Sequence, residues 1–301
     1  MNYDADHLAA LLAVVEEGTF DSAARRLRLT QSAVSQRIKA LETRVGRVLI
    51  VRTTPCVATT EGEILLRLAR QVQLLSAEAT GQLGADADRA TAIPVAVNAD
   101  SLATWFVDVL REAATWSDRV IQVHVEDQEH SVDLLRKGAV MGAVTADPVT
   151  VQGCSIEQLG LMRYVPVATP DLLARHGSRR RVRWGELPVV RFNERDDLQE
   201  RVMAAHGLGG PHNPPTHRVP SAEGFAQAVR LGLGWGALPE QHLDGALDRG
   251  DLVRLPGARP LDVTLYWQRW RLSSEDLDRL TDAVRSAARR RVGGVRSRRA
   301  N

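Results

Sequence analysis

The sequence predicts an α/β protein that begins with an all-α-rich segment, and three patterns in its 301 residues support this prediction. Apolar residues recur at helical spacing through residues 8–45. A second stripe of this kind marks one long helix over residues 61–83. From residue 93 onward, short apolar runs alternate with helical segments, which is typical of parallel βαβ units.

The charge of the chain is unevenly distributed, although its formal sum is only +2. Residues 20–55 carry eight basic and two acidic side chains, and residues 285–301 carry seven arginines and no acid. The remaining residues therefore sum to −11. A basic segment near the N-terminus predicts nucleic-acid binding there and a different ligand for the acidic remainder. On charge alone, a solvated surface is the alternative interpretation.

No stretch of the sequence predicts a membrane span or an export signal. The longest apolar run, residues 8–15, is far shorter than the roughly 18 residues that a membrane helix needs. The N-terminus is acidic, whereas a signal peptide begins with basic residues. We therefore expect a cytoplasmic protein without membrane contact. Its two cysteines, Cys56 and Cys154, are too few for a secreted disulfide framework.

Three short helices are predicted before residue 47. The first contains the apolar residues of the run 8–15 and ends at Gly18. Thr19 is a suitable N-cap for a short second helix, and Thr30 is a suitable N-cap for a third. The apolar face of the third helix consists of Val34, Ile38, Leu41 and Val45. Its opposite, polar face consists of Ser32, Ser35, Gln36 and Lys39.

This pair of helices with a polar outer face predicts a helix-turn-helix. In that arrangement the second helix of the pair enters the major groove of double-stranded DNA. The side-chain amide of Gln36 can recognise adenine, while Lys39 or Arg37 can reach guanine or phosphate. A polar outer face also occurs on ordinary surface helices, so the local charge and the turn length support the prediction as much as the periodicity does.

Residues 48–83 are predicted to form a wing and a long helix. Pro55 within an alternating stretch favours a short exposed hairpin beside the phosphate backbone. Thr60 and Glu63 form a capping box that opens the long helix, which is about 35 Å long. A helix from a second subunit is its preferred cover, with packing on its own domain as the alternative. The residues predicted to contact DNA are Thr30, Gln31, Ser32, Ser35, Gln36, Arg37, Lys39, Arg52 and Thr53.

The N-terminal segment resembles a known family of regulators. FDSAARRLRLTQSAVSQRIKALETRVGRVLIVRT is similar to the winged helix-turn-helix of the LysR-type transcriptional regulators. VAVNADSLATW at residues 95–105 is similar to the regulators of arginine and lysine export within that family. Further segments with the second similarity are VEDQEH at 125–130, GAVT at 142–145 and LYWQRW at 265–270.

This resemblance implies an architecture and partners for the whole chain. It implies a homodimer or homotetramer on promoter DNA, RNA polymerase as a further partner, and lysine or arginine as the small-molecule effector. It also implies a two-lobe effector domain like the periplasmic binding proteins. The implied parts are a winged helix-turn-helix over 1–59, a dimerisation helix over 60–83, a hinge over 84–92, and an effector-binding domain over 93–301 with lobe I at 93–165 and 263–301 and lobe II at 166–262.

A ligand site is expected where strand ends of the two lobes meet helix N-termini. Asn98 and Ser101, with free backbone N–H groups beside them, suit the α-carboxylate of an amino acid. A cationic side chain needs an acid, and Asp127 is the first choice because it ends a strand. Acids at helix starts are also favoured by the helix dipole without any ligand. The residues predicted to bind the effector are Asn98, Asp100, Ser101, Asp127, Thr145, Asp196, Asp197 and Glu223.

Other chemistries lack their sequence motifs. The sequence contains no phosphate loop and no G-x-S-x-G elbow, and His206, His212 and His217 lack metal-ligand spacing. We therefore expect no cofactor, no metal and no enzymatic activity. Three alternatives stay open: a LysR-type regulator with another effector, an architectural DNA-binding protein without one, and an enzyme fused to a DNA-binding module. The tail at 289–301 is predicted to be disordered.

Overall fold

The computed structural model describes residues 3–83, 91–117, 119–125, 128–178, 181–205 and 214–293. In the N-terminal part, three helices pack around one apolar core, which a two-stranded hairpin and a long helix complete. The elements of this part are α1 (Ala5–Glu17), α2 (Phe20–Leu27), α3 (Gln31–Val45), β1 (Ile50–Val51), β2 (Val57–Ala58) and α4 (Thr60–Gln82).

The ends of these helices follow from their local sequence. Thr19 Oγ1 and Thr30 Oγ1 accept hydrogen bonds from backbone N–H groups in the first turns of α2 and α3, which confirms both predicted N-caps. Gly18 ends α1 at a φ of 72°, which glycine adopts without strain. The predicted cap of α4 is wrong by one residue. Thr59 is the cap, because its Oγ1 accepts from the Gly62 N–H at 3.0 Å.

Helix α4 packs against two other parts of its own chain. Its first half enters the N-terminal core, and its second half places Leu74 in a core with Leu135 and Leu277. Packing on the chain's own domains therefore covers part of α4, and cover by a helix from a second subunit stays a prediction. Ile64 and Leu75 remain 54% and 38% exposed on its other side. Among the described residues, no helix combines the length and the hydropathy of a membrane span.

Residues 91–293 form two α/β lobes, which confirms the predicted fold class. The elements before the second lobe are β3 (Thr91–Val97), α5 (Ala99–Ala103), α6 (Val107–Ala113), β4 (Arg119–Val125), α7 (Gln128–Arg136), β5 (Gly142–Thr145) and β6 (Cys154–Ala168). The elements after β6 are α8 (Pro170–Arg175), β7 (Gly177–Ser178), β8 (Arg181–Val182), β9 (Val189–Arg191), α9 (Leu198–Ala204), β10 (Thr216–Arg218), α10 (Ala222–Arg230), β11 (Gly236–Pro239), a 3₁₀ turn (Glu240–His242), α11 (Ala246–Arg249), β12 (Val253–Arg254), β13 (Leu261–Trp270) and α12 (Glu275–Arg291).

Two long strands connect the lobes. In lobe I, β3 pairs in parallel with β4 and β5, while β13 pairs antiparallel with both β5 and β6. In lobe II, β9 and β10 are parallel, and β11 pairs antiparallel with β6. The alternation of strands and helices in lobe II predicts parallel pairing. A parallel bridge between Val189 and Trp235 places β11 beside β9 in that orientation, and β6 is the antiparallel neighbour of β11. Because β6 and β13 belong to both lobes, movement of one lobe against the other must pass through these strands.

Two further segments differ from the prediction. From the sequence, one continuous helix is expected from residue 100 or 101 to residue 114. In the structure, this helix is interrupted between α5 and α6. At the break, the fully buried rings of Trp105 and Phe106 pack edge to face at 5.6 Å. The tail is ordered further than predicted, since α12 extends to Arg291 and Gly293 bridges to Leu161. Residues 294–301 lie outside the described residues.

Candidate DNA-reading face and effector cleft

Helix α3 presents a polar outer face over a buried apolar one. Val34, Ile38 and Leu41 are fully buried against α1 and α2. The exposed predicted DNA contacts on this helix are Gln31, Ser32, Gln36 and Lys39, and Ser35 is half-buried beside them. The structure thus brings these five side chains together on one surface, in the arrangement that a recognition helix needs.

Arg37 and Thr30 have structural partners within the N-terminal part. Arg37 Nη2 donates to Asp6 Oδ2 at 2.8 Å, so this guanidinium ties α3 to α1. Thr30 Oγ1 accepts from the Ala33 N–H at 3.2 Å as the helix cap. A DNA contact by Arg37 would require this ion pair to open, whereas Lys39 is exposed.

The wing places its two predicted DNA contacts at the surface. The Arg52 guanidinium lies 4.8 Å from the centre of the Phe20 ring, which holds it beside α2. Thr53 Oγ1 donates to Pro55 O at 2.7 Å, so its hydroxyl proton is already used. Arg52 is therefore the better phosphate ligand of the two.

A cleft of about 840 Å³ lies between the two lobes. Lobe I contributes Asn98 and Asp100 from the junction of β3 and α5, and β6 contributes Tyr164. Lobe II contributes Asp196 and Asp197 with the first turns of α9. Four of the eight predicted effector residues therefore line one cavity, at the strand ends where a ligand site is expected.

Asp100 is the most constrained acid of the cleft. Tyr164 Oη donates a hydrogen bond to Asp100 Oδ2 at 2.8 Å. Burial raises the pKa of the Asp100 carboxyl, an effect that this hydrogen bond partly offsets. Burial beside Asp100 also raises the pKa of Tyr164 well above its usual value. Asp100 is not a helix cap, since α5 is preceded by Asn98 as its N-cap residue. This carboxyl is therefore placed to pair with a cation in the cleft.

The side-chain oxygens of Asn98 and Ser101 are buried without hydrogen-bond partners among the described residues. The side chain of Asn98 is not used as a cap by α5, and its Oδ1 is unpaired. Ser101 is fully buried, and its Oγ is also unpaired. Ser101 lies behind the cleft wall and Asn98 lines it. Buried polar atoms usually have partners, so these two oxygens are candidates for a ligand or for an ordered water.

The two predicted acids of lobe II have different surroundings. Asp196 Oδ2 accepts from the Phe192 N–H at 2.8 Å, and Oδ1 accepts from the Leu198 N–H at 3.1 Å. This carboxylate closes the loop before α9, and burial raises its pKa despite these hydrogen bonds. Asp197 is exposed and lies 4.0 Å from Arg201. Asp197 has the freer carboxylate for a ligand.

The structure does not bring Thr145 and Glu223 to the cleft. Thr145 Oγ1 accepts from the Asp147 N–H at 3.0 Å within lobe I. Glu223 is exposed in the first turn of α10, where it complements the helix dipole, while Ser221 caps the helix. Neither residue lines the cleft in this structure, so effector binding by Thr145 and Glu223 stays a prediction without support from the cleft geometry. Asp127, the first choice from the sequence, lies outside the described residues.

Helix α4 contacts both the DNA-reading helices and lobe I. Arg70 Nε lies 3.6 Å from Glu16 Oε1 of α1, and Arg70 Nη1 donates to Lys137 O at the end of α7 at 3.0 Å. Arg67 Nη1 donates to Arg136 O at 3.4 Å. These bonds connect the C-terminal end of α7 in lobe I to α1 through α4.

The far end of α4 is anchored by a buried carboxyl. Glu78 accepts hydrogen bonds from the Ser274 hydroxyl and from the Asp276 N–H at the start of α12. Burial raises the pKa of Glu78, partly offset by the Ser274 bond. Asp276 in turn pairs with Arg119 of β4. Both ends of α4 are thus fixed to lobe I.

Two family models match the two parts of the chain. The model described as bacterial regulatory helix-turn-helix protein, lysR family, matches residues 5–63. The model described as LysR substrate binding domain matches residues 89–289. The chain belongs to the LysR family.

Several LysR-family proteins are similar to this chain over nearly its whole length. The lysine export transcriptional regulatory protein LysG of Corynebacterium efficiens is 50% identical over 285 residues, with 94% of this chain and 97% of that protein covered. A structure of full-length LysG from Corynebacterium glutamicum with bound effector Arg has a TM-score of 0.82 at 43% identity, covering 96% and 99% of the two chains. ArgP from Mycobacterium tuberculosis has a TM-score of 0.89 at 47% identity, covering 97% and 100%.

The cleft of this LysR-family chain also contains residues that the sequence interpretation missed. They are Tyr164, Asn193, Arg195, Gln199 and Arg201. Tyr164 lies in a long strand, and the alternation of side chains along this strand does not indicate a function for it. Gln199 does leave a signal, because it shares a buried helical face with Val202 and Met203. A polar residue at an apolar position of a helix is a pattern that the sequence alone can show.

Gln36→Ala is expected to weaken binding of the LysR-family chain to its specific DNA site by about 1 to 3 kcal/mol. The exposed amide of Gln36 lies on the outer face of α3 and can pair with a base edge. Binding to random DNA, which depends on phosphate contacts, should change little. Fluorescence anisotropy with specific and random duplexes measures both. Gln152→Ala, at an exposed turn of lobe I, is the matched control. An equal loss on both duplexes would contradict base recognition by Gln36.

Proposed function

We propose that this LysR-family regulator controls genes of lysine or arginine export or metabolism, with a basic amino acid as its effector. The observation that carries this proposal is the half-buried Asp100 carboxyl, which lines a cleft between two lobes with further acids on the opposite wall. The similarity to a LysG solved with bound effector Arg supports the same ligand class. Lysine export is what the names of the similar proteins state of them.

A basic amino acid fits the cleft by charge. The start of α5, with Asn98, offers hydrogen-bond donors to an α-carboxylate. The cationic side chain pairs with carboxylates, for which the cleft offers Asp100, Asp196 and Asp197. Asp127 stays a prediction from the sequence as an additional acid.

The effector acts by changing the relation of the two lobes. A ligand that contacts both walls favours the closed arrangement by its differential affinity for it. Because Arg70 bonds to both Lys137 O and Glu16, movement in lobe I reaches the DNA-reading helices through α4. We further propose that two or four copies assemble through the exposed side of α4, with the winged helix-turn-helix pairs on promoter DNA in the cytoplasm, next to RNA polymerase.

A second candidate is an anionic effector, and a specific observation favours it. Arg195 and Arg201 also line the cleft from lobe II. Within the described part of the chain, the ion pair of Arg201 is a long 4.0 Å contact with Asp197, and the Arg201 side chain is 45% exposed. A carboxylate ligand such as an acidic amino acid or an aromatic acid would use these guanidinium groups.

A thermal-shift panel on the full-length protein separates the two candidates. At about 100 times its Kd, L-lysine or L-arginine should stabilise the protein by about 2.7 kcal/mol, which raises Tm by roughly 5 to 10 °C. L-leucine and L-glutamate are the controls and should give no shift. A shift with L-glutamate alone would favour the anionic effector, and no shift with any of the four would contradict an amino-acid effector.

A further inference from the structure

Gln199 is a buried polar side chain in the wall of the cleft. It lies in the first turn of α9 in lobe II and is 1% exposed. It lines the same cavity as Asn98 and Asp100 of lobe I. Neither its Oε1 nor its Nε2 has a hydrogen-bond partner within the described ranges. Both halves of a buried amide are therefore available at the cleft.

An unpaired buried amide lowers the stability of a folded protein, because its hydration is lost without replacement. The position itself is apolar in character, since Val202 and Met203 share the buried face of α9. Leucine or methionine would fill the same space without this penalty. Gln199 also caps no helix, as Asp197 is the N-cap residue of α9. Folding therefore does not account for an amide here, and ligand recognition does.

The chemistry of the amide limits which ligand group can satisfy it. Oε1 needs a donor, and Nε2 needs an acceptor. An ammonium or guanidinium group supplies donors alone, so a cationic side chain would leave Nε2 unpaired. A carboxylate supplies acceptors alone and would leave Oε1 unpaired. The α-ammonium and α-carboxylate of an amino acid, attached to one carbon atom, supply both.

We propose that Gln199 is the lobe II residue that hydrogen-bonds the α-amino-acid group of the effector, which rests on the proposed amino-acid effector. Nε2 donates to the α-carboxylate, and Oε1 accepts from the α-ammonium. The unpaired Asn98 Oδ1 lies in the facing wall of lobe I, so one small ligand can engage both lobes. Gln199 thereby makes the cleft selective for amino acids over their decarboxylated amines.

Isothermal titration calorimetry of the full-length protein with L-arginine and agmatine tests this proposal. Agmatine keeps the guanidinium and lacks the carboxylate. The wild-type protein should bind L-arginine at least about tenfold more tightly than agmatine. Agmatine also keeps the amine, so Gln199→Leu removes two hydrogen bonds from bound L-arginine and one from bound agmatine. The variant should therefore lower the affinity for L-arginine about tenfold or more and lower the affinity for agmatine by a clearly smaller factor. Gln152→Leu, at an exposed turn of lobe I, should leave both affinities unchanged.

The Tm of the ligand-free protein separates recognition from a structural role. Because Gln199→Leu removes an unpaired buried amide, it should raise this Tm, and Gln199→Met, which keeps the unbranched chain, should do the same. A lower Tm in both variants with unchanged L-arginine affinity would overturn the proposal in favour of a structural role. Equal losses for L-arginine and agmatine would overturn the assignment to the α-amino-acid group. If the wild-type protein binds neither compound, the proposed function itself fails, and the proposal with it.

Discussion

Replacing Asp100 by asparagine is expected to weaken binding of L-lysine and L-arginine by about 2 to 5 kcal/mol, which is at least roughly 30-fold in Kd. The substitution removes the charge that faces the cleft while its side-chain oxygen can still accept the Tyr164 hydrogen bond. Titration calorimetry measures the loss. Asp171→Asn, at an exposed position of α8, is the matched control and should not alter binding. An unchanged titration in Asp100→Asn would contradict the assignment of the cation partner.

Asp100→Asn is also expected to change the stability of the ligand-free protein in a defined direction. Burial raises the pKa of Asp100 in the folded protein, so at pH values between the unfolded and the folded pKa the folded state holds a proton that the unfolded state has released. The contribution of Asp100 to the free energy of unfolding is therefore fully present at acidic pH. This contribution is lost as the pH rises from the pKa of the group in the unfolded state to its higher pKa in the folded state. At neutral pH, Asp100→Asn should raise the Tm of the ligand-free protein and remove this pH dependence. Thermal unfolding between pH 4 and pH 8, spanning roughly the ordinary carboxyl range and above, measures it.

Gly62→Ala is expected to disrupt the N-terminal part of the molecule. A Cβ at this position of α4 would lie 2.0 Å from Leu49 O, a backbone atom that cannot move without displacing the wing strand β1. The clash should cost about 3 kcal/mol or more and should abolish specific DNA binding. Effector binding should persist, since the cleft is formed by residues of the two lobes. Denaturant unfolding and DNA-binding anisotropy measure the two effects.

Gly81→Ala on the same helix is the control for Gly62→Ala. The nearest heavy atom to a Cβ there is Arg119 Nη2 at 3.8 Å, which is an ordinary contact. Alanine favours the helix over glycine by up to about 1 kcal/mol, so Gly81→Ala should leave stability equal or higher. Equal destabilisation by both substitutions would show that helix propensity, and not the contact with Leu49, decides the outcome.

The N-terminal fold could be predicted from the sequence because its signals are local. Val34, Ile38 and Leu41 recur at helical spacing, and Thr30 and Gly18 mark helix boundaries by their own chemistry. Whether Thr59 or Thr60 caps α4 could not be decided in this way. Both are threonines, and Thr59 is distinguished only by its hydroxyl, which accepts from the Gly62 N–H and donates to Val48 O in the segment before β1.

The position of the effector cleft could be predicted from the sequence, but only some of the residues that line it could be. Asn98 and Asp100 follow a strand, and helix starts in lobe II carry Asp196 and Asp197, so strand ends located four of its lining residues. Thr145 does not line the cleft, and its hydroxyl accepts a hydrogen bond within lobe I. Tyr164 was missed because its hydrogen bond to Asp100 joins segments far apart in sequence. Gln199 was missed although its place on the apolar face of α9 is visible in the sequence.

The cover of α4 shows the same limit. A helical stripe indicates that a face is buried and does not indicate what buries it. Leu74 packs on Leu135 and Leu277 of lobe I, which no periodicity in residues 61–83 could reveal. The exposed side with Ile64 and Leu75 is the surface left for a second copy.

We expect a basic amino acid in the cleft to alter how the winged helix-turn-helix holds DNA. Quantitative footprinting of the full-length protein on the promoter region upstream of its target genes, with and without saturating L-lysine or L-arginine, tests it most directly. In the wild-type protein, we expect the basic amino acid to change the length or the occupancy of the protected region. In Asp100→Asn, we expect it to have no effect. Identical footprints with and without ligand in the wild-type protein, at concentrations where calorimetry shows the cleft filled, would contradict it.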